Sequence, residues 1–196
     1  MSIEIGSIKK YWEDRANRQG YLTVGTSIDE FYQDEEYKEK QDFIFSHLPI
    51  NLRTLDYGCG VGRYSKFFDK YLGVDITKPL LNIAKQMNPD KDYVLMETPY
   101  DINMKYDFEL FFTSTVLQHN SDDVVSKLFF EISQIKKRYL CLAFYENSII
   151  EESYHVKGRN MFDYKKLLSL FFDIQSFEYY PHIVHGEEHT LSIFTV

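Results

Sequence analysis

Apolar positions along the chain fall into blocks of two kinds, some spaced for one face of a helix and others nearly continuous over a strand's length. Ile8, Tyr11, Trp12 and Ala16 lie on one face of a segment whose other face is Lys, Glu and Arg, which predicts an amphipathic helix over 8–19 ended by Gly20. A second helix is predicted from about 27 to 47. Ser27 and Glu30 have the spacing of a capping box, Phe31, Tyr32, Tyr37 and Phe43 follow, and Pro49 stops it. Short apolar runs at 71–76, 92–96, 108–113 and 139–144 predict strands, and the run at 108–113 is the most apolar of the chain. Between them, Thr77 caps a helix with Pro79 in its first turn, broken at Asn88-Pro89-Asp90. Ser121-Asp122-Asp123 caps another, whose buried stripe is Val124, Val125, Leu128, Phe129, Ile132 and Ile135 and whose basic end is Lys136-Lys137-Arg138. A last helix is predicted at 163–171, and 172–182 with 190–196 read as a hairpin around a polar turn at 186–188.

This alternation predicts an α/β domain with a mostly parallel sheet. With 196 residues, 44% of them hydrophobic, the chain supports one well-buried core, so 1–196 is read as one domain: a helical N-terminal segment at 1–48 and a core at 49–196. The formal net charge of −8 argues against nucleic acid as a partner, because nonspecific affinity for phosphates needs clustered Lys and Arg. No charged start precedes an apolar run, and no run is long enough to span a bilayer, so a cytoplasmic protein without membrane contact is expected. The two cysteines, Cys59 and Cys141, allow neither a disulfide framework nor a cysteine zinc site, and both are expected to be reduced packing residues.

The chemistry centres on Leu55-Asp56-Tyr57-Gly58-Cys59-Gly60-Val61-Gly62-Arg63, an extended segment entering a glycine turn. Three alternating glycines mark a backbone that passes close to something. Tyr64 to Phe68 then resumes an apolar pattern, which predicts a helix directly after the turn. A dinucleotide fingerprint is not met: the third glycine comes one residue early, and Arg63 stands where Gly or Ala is needed. No Lys-Ser or Lys-Thr pair follows to make a Walker loop. Asp56, two positions before Gly58, instead places a carboxylate where phosphate is repelled and a cation is attracted.

This stretch resembles the first motif of the class I S-adenosylmethionine-dependent methyltransferases, whose cofactor carries an ammonium, a carboxylate and a sulfonium. The family ends its next strand with an acidic residue for the ribose hydroxyls, and Tyr71-Leu72-Gly73-Val74-Asp75-Ile76 supplies Asp75, 17 positions beyond Gly58. The resemblance implies a Rossmann-like sheet of seven strands with helices on both faces, an antiparallel last strand and a helical N-terminal lid. It implies S-adenosylmethionine as cofactor, S-adenosylhomocysteine as product, and Asp56, Gly58, Gly60, Asp75 and Ile76 as cofactor contacts. By the same resemblance the loop after 92–96 touches the adenine, with Met96, Glu97 or Asp101 as candidates, and Thr113 ends the central strand beside the cofactor. Trp12 to Ala16 is similar to the start of lids in the family, which brings in Arg15 on the cofactor side and Tyr11 on the substrate side. A helix that merely covers a sheet edge is the alternative.

Val116-Leu117-Gln118-His119 resembles the loop of many small-molecule methyltransferases of this class, and neither Asn-Pro-Pro-Tyr nor Pro-Cys, expected of DNA- or glutamine-methylating enzymes and of cytosine-C5 enzymes, is present. His119 is the candidate general base, since histidine titrates near neutrality; a cap or packing role is its alternative. His155 and Arg159, in a polar stretch at 145–160, are candidates for orienting an anionic or polyhydroxyl substrate. His182, His185 and His189 have mixed spacing that suits a solvated loop better than a metal site. The expected activity is methyl transfer to O or N of a small polar or sugar-like molecule. A non-catalytic cofactor-binding regulator and a protein or RNA methyltransferase stay open, and the oligomeric state is not set by the sequence.

Overall fold

The central strand of the protein is β4 (Leu110–Ser114), whose five residues include Phe111 and Phe112 at zero exposure. In the computed structural model, which describes residues 5–19, 35–102, 106–135, 137, 139–148, 156–184 and 186–196, it lies fourth in a seven-stranded sheet. The other strands are β1 (Arg53–Tyr57), β2 (Lys70–Asp75), β3 (Asp92–Leu95), β5 (Cys141–Asn147), β6 (Ser176–Val184) and β7 (Glu187–Thr195), in the order β3-β2-β1-β4-β5-β7-β6. Neighbours from β3 to β5 pair in parallel, and β7 runs antiparallel to both β5 and β6. Among the described residues the α-helices are α1 (Ile5–Gln19), α2 (Glu35–His47), α3 (Lys78–Met87), α4 (Asp122–Ser133) and α5 (Met161–Leu168).

Alternate residues of each central strand face opposite layers, as the pleat requires. Leu55, Tyr57, Phe111, Leu142 and Phe144 pack with Val125, Leu128, Phe129 and Ile132 of α4 and with Tyr164 and Leu168 of α5. Leu110, Phe112, Cys141, Ala143 and Tyr145 face the other way, toward Ile44 of α2 and Leu81 and Ala84 of α3. Fully burying each Leu, Ile, Val or Phe among these contributes about 1.5–3 kcal/mol, so the two layers fix the sheet firmly. From β1 the chain passes to β2 on one side and later to β4 on the other, and registers Tyr57↔Val74 and Tyr57↔Thr113 bring three carboxyl ends level. Ligands gather at such a switch point.

Several elements differ from the sequence expectation. The helix expected directly after the glycine turn is a single 3₁₀ turn, Ser65–Phe67. The turn consumes residues up to Gly62 and β2 begins at Lys70, which leaves too few positions for an α-helix; Phe68 is instead buried on Tyr71 and Phe112. Strand β5 runs three residues past Phe144, because β7 pairs with it as far as Asn147↔His189. The last hairpin is tighter than expected, closing at Val184↔Glu187 with Gly186 at φ +74°. Helix α5 starts at an Asn160–Asp163 capping box. The Ser27 cap, His155 and His185 lie outside the described residues. Among the described residues no helix is long and apolar enough to cross a membrane.

Candidate functional site

The backbone of the glycine turn is tied to β2: Gly58 N and Cys59 N both donate to Val74 O, at 2.8 and 3.1 Å. Gly58 sits at φ +70°, and a Cβ there would stand 2.6 Å from both Val116 methyls, so the loop after β4 presses against it. That double demand, left-handed backbone and close approach, is met by glycine only. Asp75 ends β2 with both oxygens engaged, Oδ2 accepting from Gly60 N at 2.9 Å and Oδ1 from Thr77 N at 2.7 Å. Asp56, in β1 beside it, accepts from the Tyr71 hydroxyl at 2.7 Å.

These two carboxylates are buried, with 2% and 7% exposure for Asp56 and Asp75. Burial pushes the Asp56 carboxyl up to about 7, the Tyr71 hydrogen bond opposing and the nearby Asp75 charge adding to the rise. Burial likewise raises Asp75, against the pull of the Gly60 and Thr77 amides. A wall that holds two anions out of water stabilises a cation placed against it. Cys59 and Cys141 are buried free cysteines, and burial pushes the Cys141 thiol up to about 12.

A cavity of about 420 Å³ opens along this wall. Of the residues singled out in the sequence, Asp56, Gly58, Gly60, Asp75, Ile76, Met96, Arg15 and His119 line it. Helix α1 closes one side, contributing Ile8, Trp12 and Arg15 and seating Ala16 on Val61 and Leu80. Tyr11 is not a lining residue; its hydroxyl accepts from Arg15 Nη1 at 3.1 Å. Thr113 is buried at zero exposure within β4 and Glu97 is exposed, and neither reaches the cavity. His155 belongs to the residues not described.

His119 is carried on a 3₁₀ turn, Leu117–His119, that is clamped from both sides. Glu146, at the end of β5, accepts from the backbone amides of Val116, Leu117 and Gln118 at 3.1, 3.0 and 3.4 Å. Arg159 donates to the carbonyls of Leu117 and Asn120 at 2.9 and 2.6 Å and to Asp122 Oδ1 at 2.7 Å. The expectation that Arg159 contacts substrate is therefore corrected: its guanidinium is spent on the loop, and it lies outside the cavity. Burial pushes the Glu146 carboxyl up to about 7, with the three amides and Arg159 opposing. Thr115, which begins the loop, is a non-glycine residue at φ +55°, a strained conformation of the kind found where a loop is over-determined by its surroundings. The His119 ring meets Trp12 edge-on at 5.1 Å.

The far end of the cavity is lined by Lys40 of α2, Arg63 and Tyr64 after the glycine turn, Ser114, and Val184, Glu187 and His189 of the hairpin. His182 and His189 are cross-strand partners, and His189 is 8% exposed, so it does not belong to a solvated loop. Its ring stacks on Tyr145 at 5.2 Å, and the Tyr145 hydroxyl meets His182 Nδ1 at 3.0 Å. Lys40, Glu146 and His189 were not readable as site residues, because each owes its position to pairing or packing between segments far apart in the chain.

Residues 55–139 match the family described as a methyltransferase domain. An uncharacterised protein of Methanocaldococcus jannaschii is 29% identical over 113 residues, which is 56% of this chain and 52% of that protein, so the match spans about half the relative's length. Phosphoethanolamine N-methyltransferase 1 of Haemonchus contortus, solved with phosphoethanolamine and S-adenosylhomocysteine, superposes with a TM-score of 0.72 at 15% identity, over 99% of this chain and 50% of that one. DhpI in complex with S-adenosylhomocysteine gives 0.73 at 13% identity, over 96% and 95% of the two chains. Magnesium protoporphyrin IX methyltransferase of Synechocystis, with S-adenosylmethionine bound, gives 0.65 at 16% identity over 98% of each. Those structures share the fold of this chain, and residues 55–139, which hold the acidic glycine turn, are the part that matches the methyltransferase domain.

Proposed function

We propose that the chain transfers the methyl group of S-adenosylmethionine to an oxygen or nitrogen atom of a small polar acceptor. The observation that carries this reading is a single cavity of about 420 Å³ whose wall runs from the buried carboxylates of Asp56 and Asp75 to His119. The donor set fits the cofactor: two buried acids, one pushed up to about 7, gain from a ligand that brings an ammonium and a sulfonium. Asp75 would accept from the ribose hydroxyls, Ile76 and Met96 would flank the adenine, and Arg15 would meet the carboxylate. Bound there, S-adenosylmethionine would supply an electrophilic methyl carbon, whose bond to the acceptor would form as its bond to sulfur broke and the electron pair stayed on sulfur, giving S-adenosylhomocysteine.

The protein's part is alignment and proton removal. Holding acceptor and methyl carbon in line is worth roughly 7–11 kcal/mol of barrier. His119, fixed by the Glu146 and Arg159 clamp and by Trp12, takes the acceptor's proton, a role that typically adds about 10²–10⁴-fold. The net charge of −8 and the closure of one side by α1 favour a small acceptor over RNA or protein.

The test is to incubate the protein with methyl-labelled S-adenosylmethionine and, separately, a small-metabolite extract, bulk RNA and denatured protein. Label should enter the small-molecule fraction; label in RNA or protein alone would overturn the choice of acceptor.

A further inference from the structure

Building on the methyl-transfer reading, we infer that the acceptor carries an anionic group, phosphoryl or carboxylate, and that Lys40 holds it at the hairpin end of the cavity, with Arg63 lining the same space. Lys40 is 8% exposed, while Lys38 and Glu39 beside it on α2 are exposed in the ordinary way. A lysine tucked under a helix normally snorkels to water or meets a carboxylate. Lys40 does neither: among the described residues no carboxylate lies within 4.0 Å of its Nζ, and its recorded contact is the Tyr145 ring, 4.6 Å away.

The direction of that side chain is built in. Tyr145 is held by His182 Nδ1 at 3.0 Å and by the stacked His189 ring, and His182 itself stacks on Phe43, three residues along α2 from Lys40, at 4.1 Å and 6°. Three elements, α2, β5 and the β6–β7 hairpin, thus meet around Lys40, a lining residue of the cavity. The acids that line the same space are already committed. Asp56 accepts from Tyr71, Asp75 from Gly60 and Thr77, and Glu187, with a 66% exposed side chain, accepts from Asn147 and stands 3.8 Å from His189. The buried carboxylates of the cavity thus stand at the carboxyl ends of β1 and β2, while Lys40 lines it from the middle of α2, where the acid that shares its side, Glu187, is largely exposed and already bonded. A cationic cofactor suits the first end. An acceptor that brings its own negative charge suits the second, since a buried ammonium gains most from an anion placed against it.

The experiment uses the full chain saturated with S-adenosylhomocysteine. Inorganic phosphate, acetate and, as neutral control, glycerol are titrated in separate arms, read by the fluorescence of Trp12, the one tryptophan of the sequence and a cavity residue, and by calorimetry. Saturable anion binding is expected, weakened about tenfold or more in Lys40→Met and retained in Lys40→Arg, with S-adenosylhomocysteine affinity within about twofold of the original in both. Phosphate tighter than acetate assigns a phosphoryl group, and the reverse a carboxylate. If Lys40→Met loses cooperative melting, Lys40→Gln is read in its place. Absence of saturable anion binding to the loaded protein, equal binding in the Lys40 variant, or glycerol binding as well as the anions overturns the inference. Failure of S-adenosylhomocysteine to bind at all, seen before any anion is added, is instead a failure of the methyl-transfer reading.

Discussion

The two ends of the cavity are built in opposite ways. At the cofactor end, Asp56, the glycine turn and Asp75 come from two adjacent parallel strands and the residues that follow them, and backbone amides hold the geometry: Val74 O takes two, Asp75 two more. At the proposed acceptor end, α1, α2, the loop after β4 and the hairpin all contribute side chains, positioned by ring stacking and by the Glu146–Arg159 clamp. The first end is a property of local sequence and leaves little to vary. The second is an assembly of distant pieces, in which one side chain can change without moving the others.

Four variants or conditions test this division, in falling order of effect. His119→Gln should lower turnover by about 10²–10⁴-fold while S-adenosylhomocysteine affinity stays within about twofold, because a base acts on the acceptor alone. Equal loss of both in calorimetry and steady-state assays would put His119 at the cofactor end. Asp75→Ala should weaken the cofactor by about 10–100-fold, the worth of hydrogen bonds to a charged acceptor. It also orphans Gly60 N and Thr77 N, so a lower melting temperature should accompany the loss. An unchanged dissociation constant in a folded variant would move the ribose elsewhere.

Glu146→Gln removes the charge that gathers three amides of the His119 loop and should cost about 1–3 kcal/mol in urea unfolding. As a positioning residue it should lower kcat with little change in cofactor affinity, and reduce any change in kcat near pH 7, where its own carboxyl titrates. A variant that loses stability but keeps kcat and its pH profile would make Glu146 structural only.

The smallest effect is the pH dependence of the cofactor end. Folding raises the Asp56 carboxyl from an ordinary 3.8 to about 7, so between those values the folded state keeps a proton that the unfolded state has lost. Stability of the ligand-free protein should therefore fall as pH rises from about 4 to 7 and level off above; Glu146, pushed up to about 7 as well, adds to the same trend. Cofactor affinity should move the other way, tightening by up to about tenfold per pH unit below 7 as Asp56 becomes the anion a cationic ligand prefers. Asp56→Asn should flatten that slope; an unchanged slope would take Asp56 out of the site.

The same contrast explains what the sequence made legible. Asp56, the glycines and Asp75 were readable because spacing along two neighbouring strands fixes their relation, and the buried runs of β4 and α4 followed from apolar periodicity. The helix expected after Gly62 failed on length, since an apolar pattern at 64–68 does not reveal how soon the next strand must begin. Arg159 looked like a substrate contact because a polar stretch gives no sign of which carbonyls will need a donor; the Leu117 and Asn120 carbonyls lie 42 and 39 residues away in sequence. Lys40 reads as one more charge on a polar helix. Its burial comes from the packing of α2 on β5 and on the hairpin, segments far from it in sequence.

The most direct test of the central claim is calorimetric titration of the purified protein with S-adenosylmethionine, S-adenosylhomocysteine, NAD and ATP in turn. The acidic glycine turn predicts saturable binding of the first two at one site per chain, lost or weakened in Asp75→Ala, with no heat of binding from NAD or ATP. Binding of NAD or ATP without either adenosyl ligand would contradict the account.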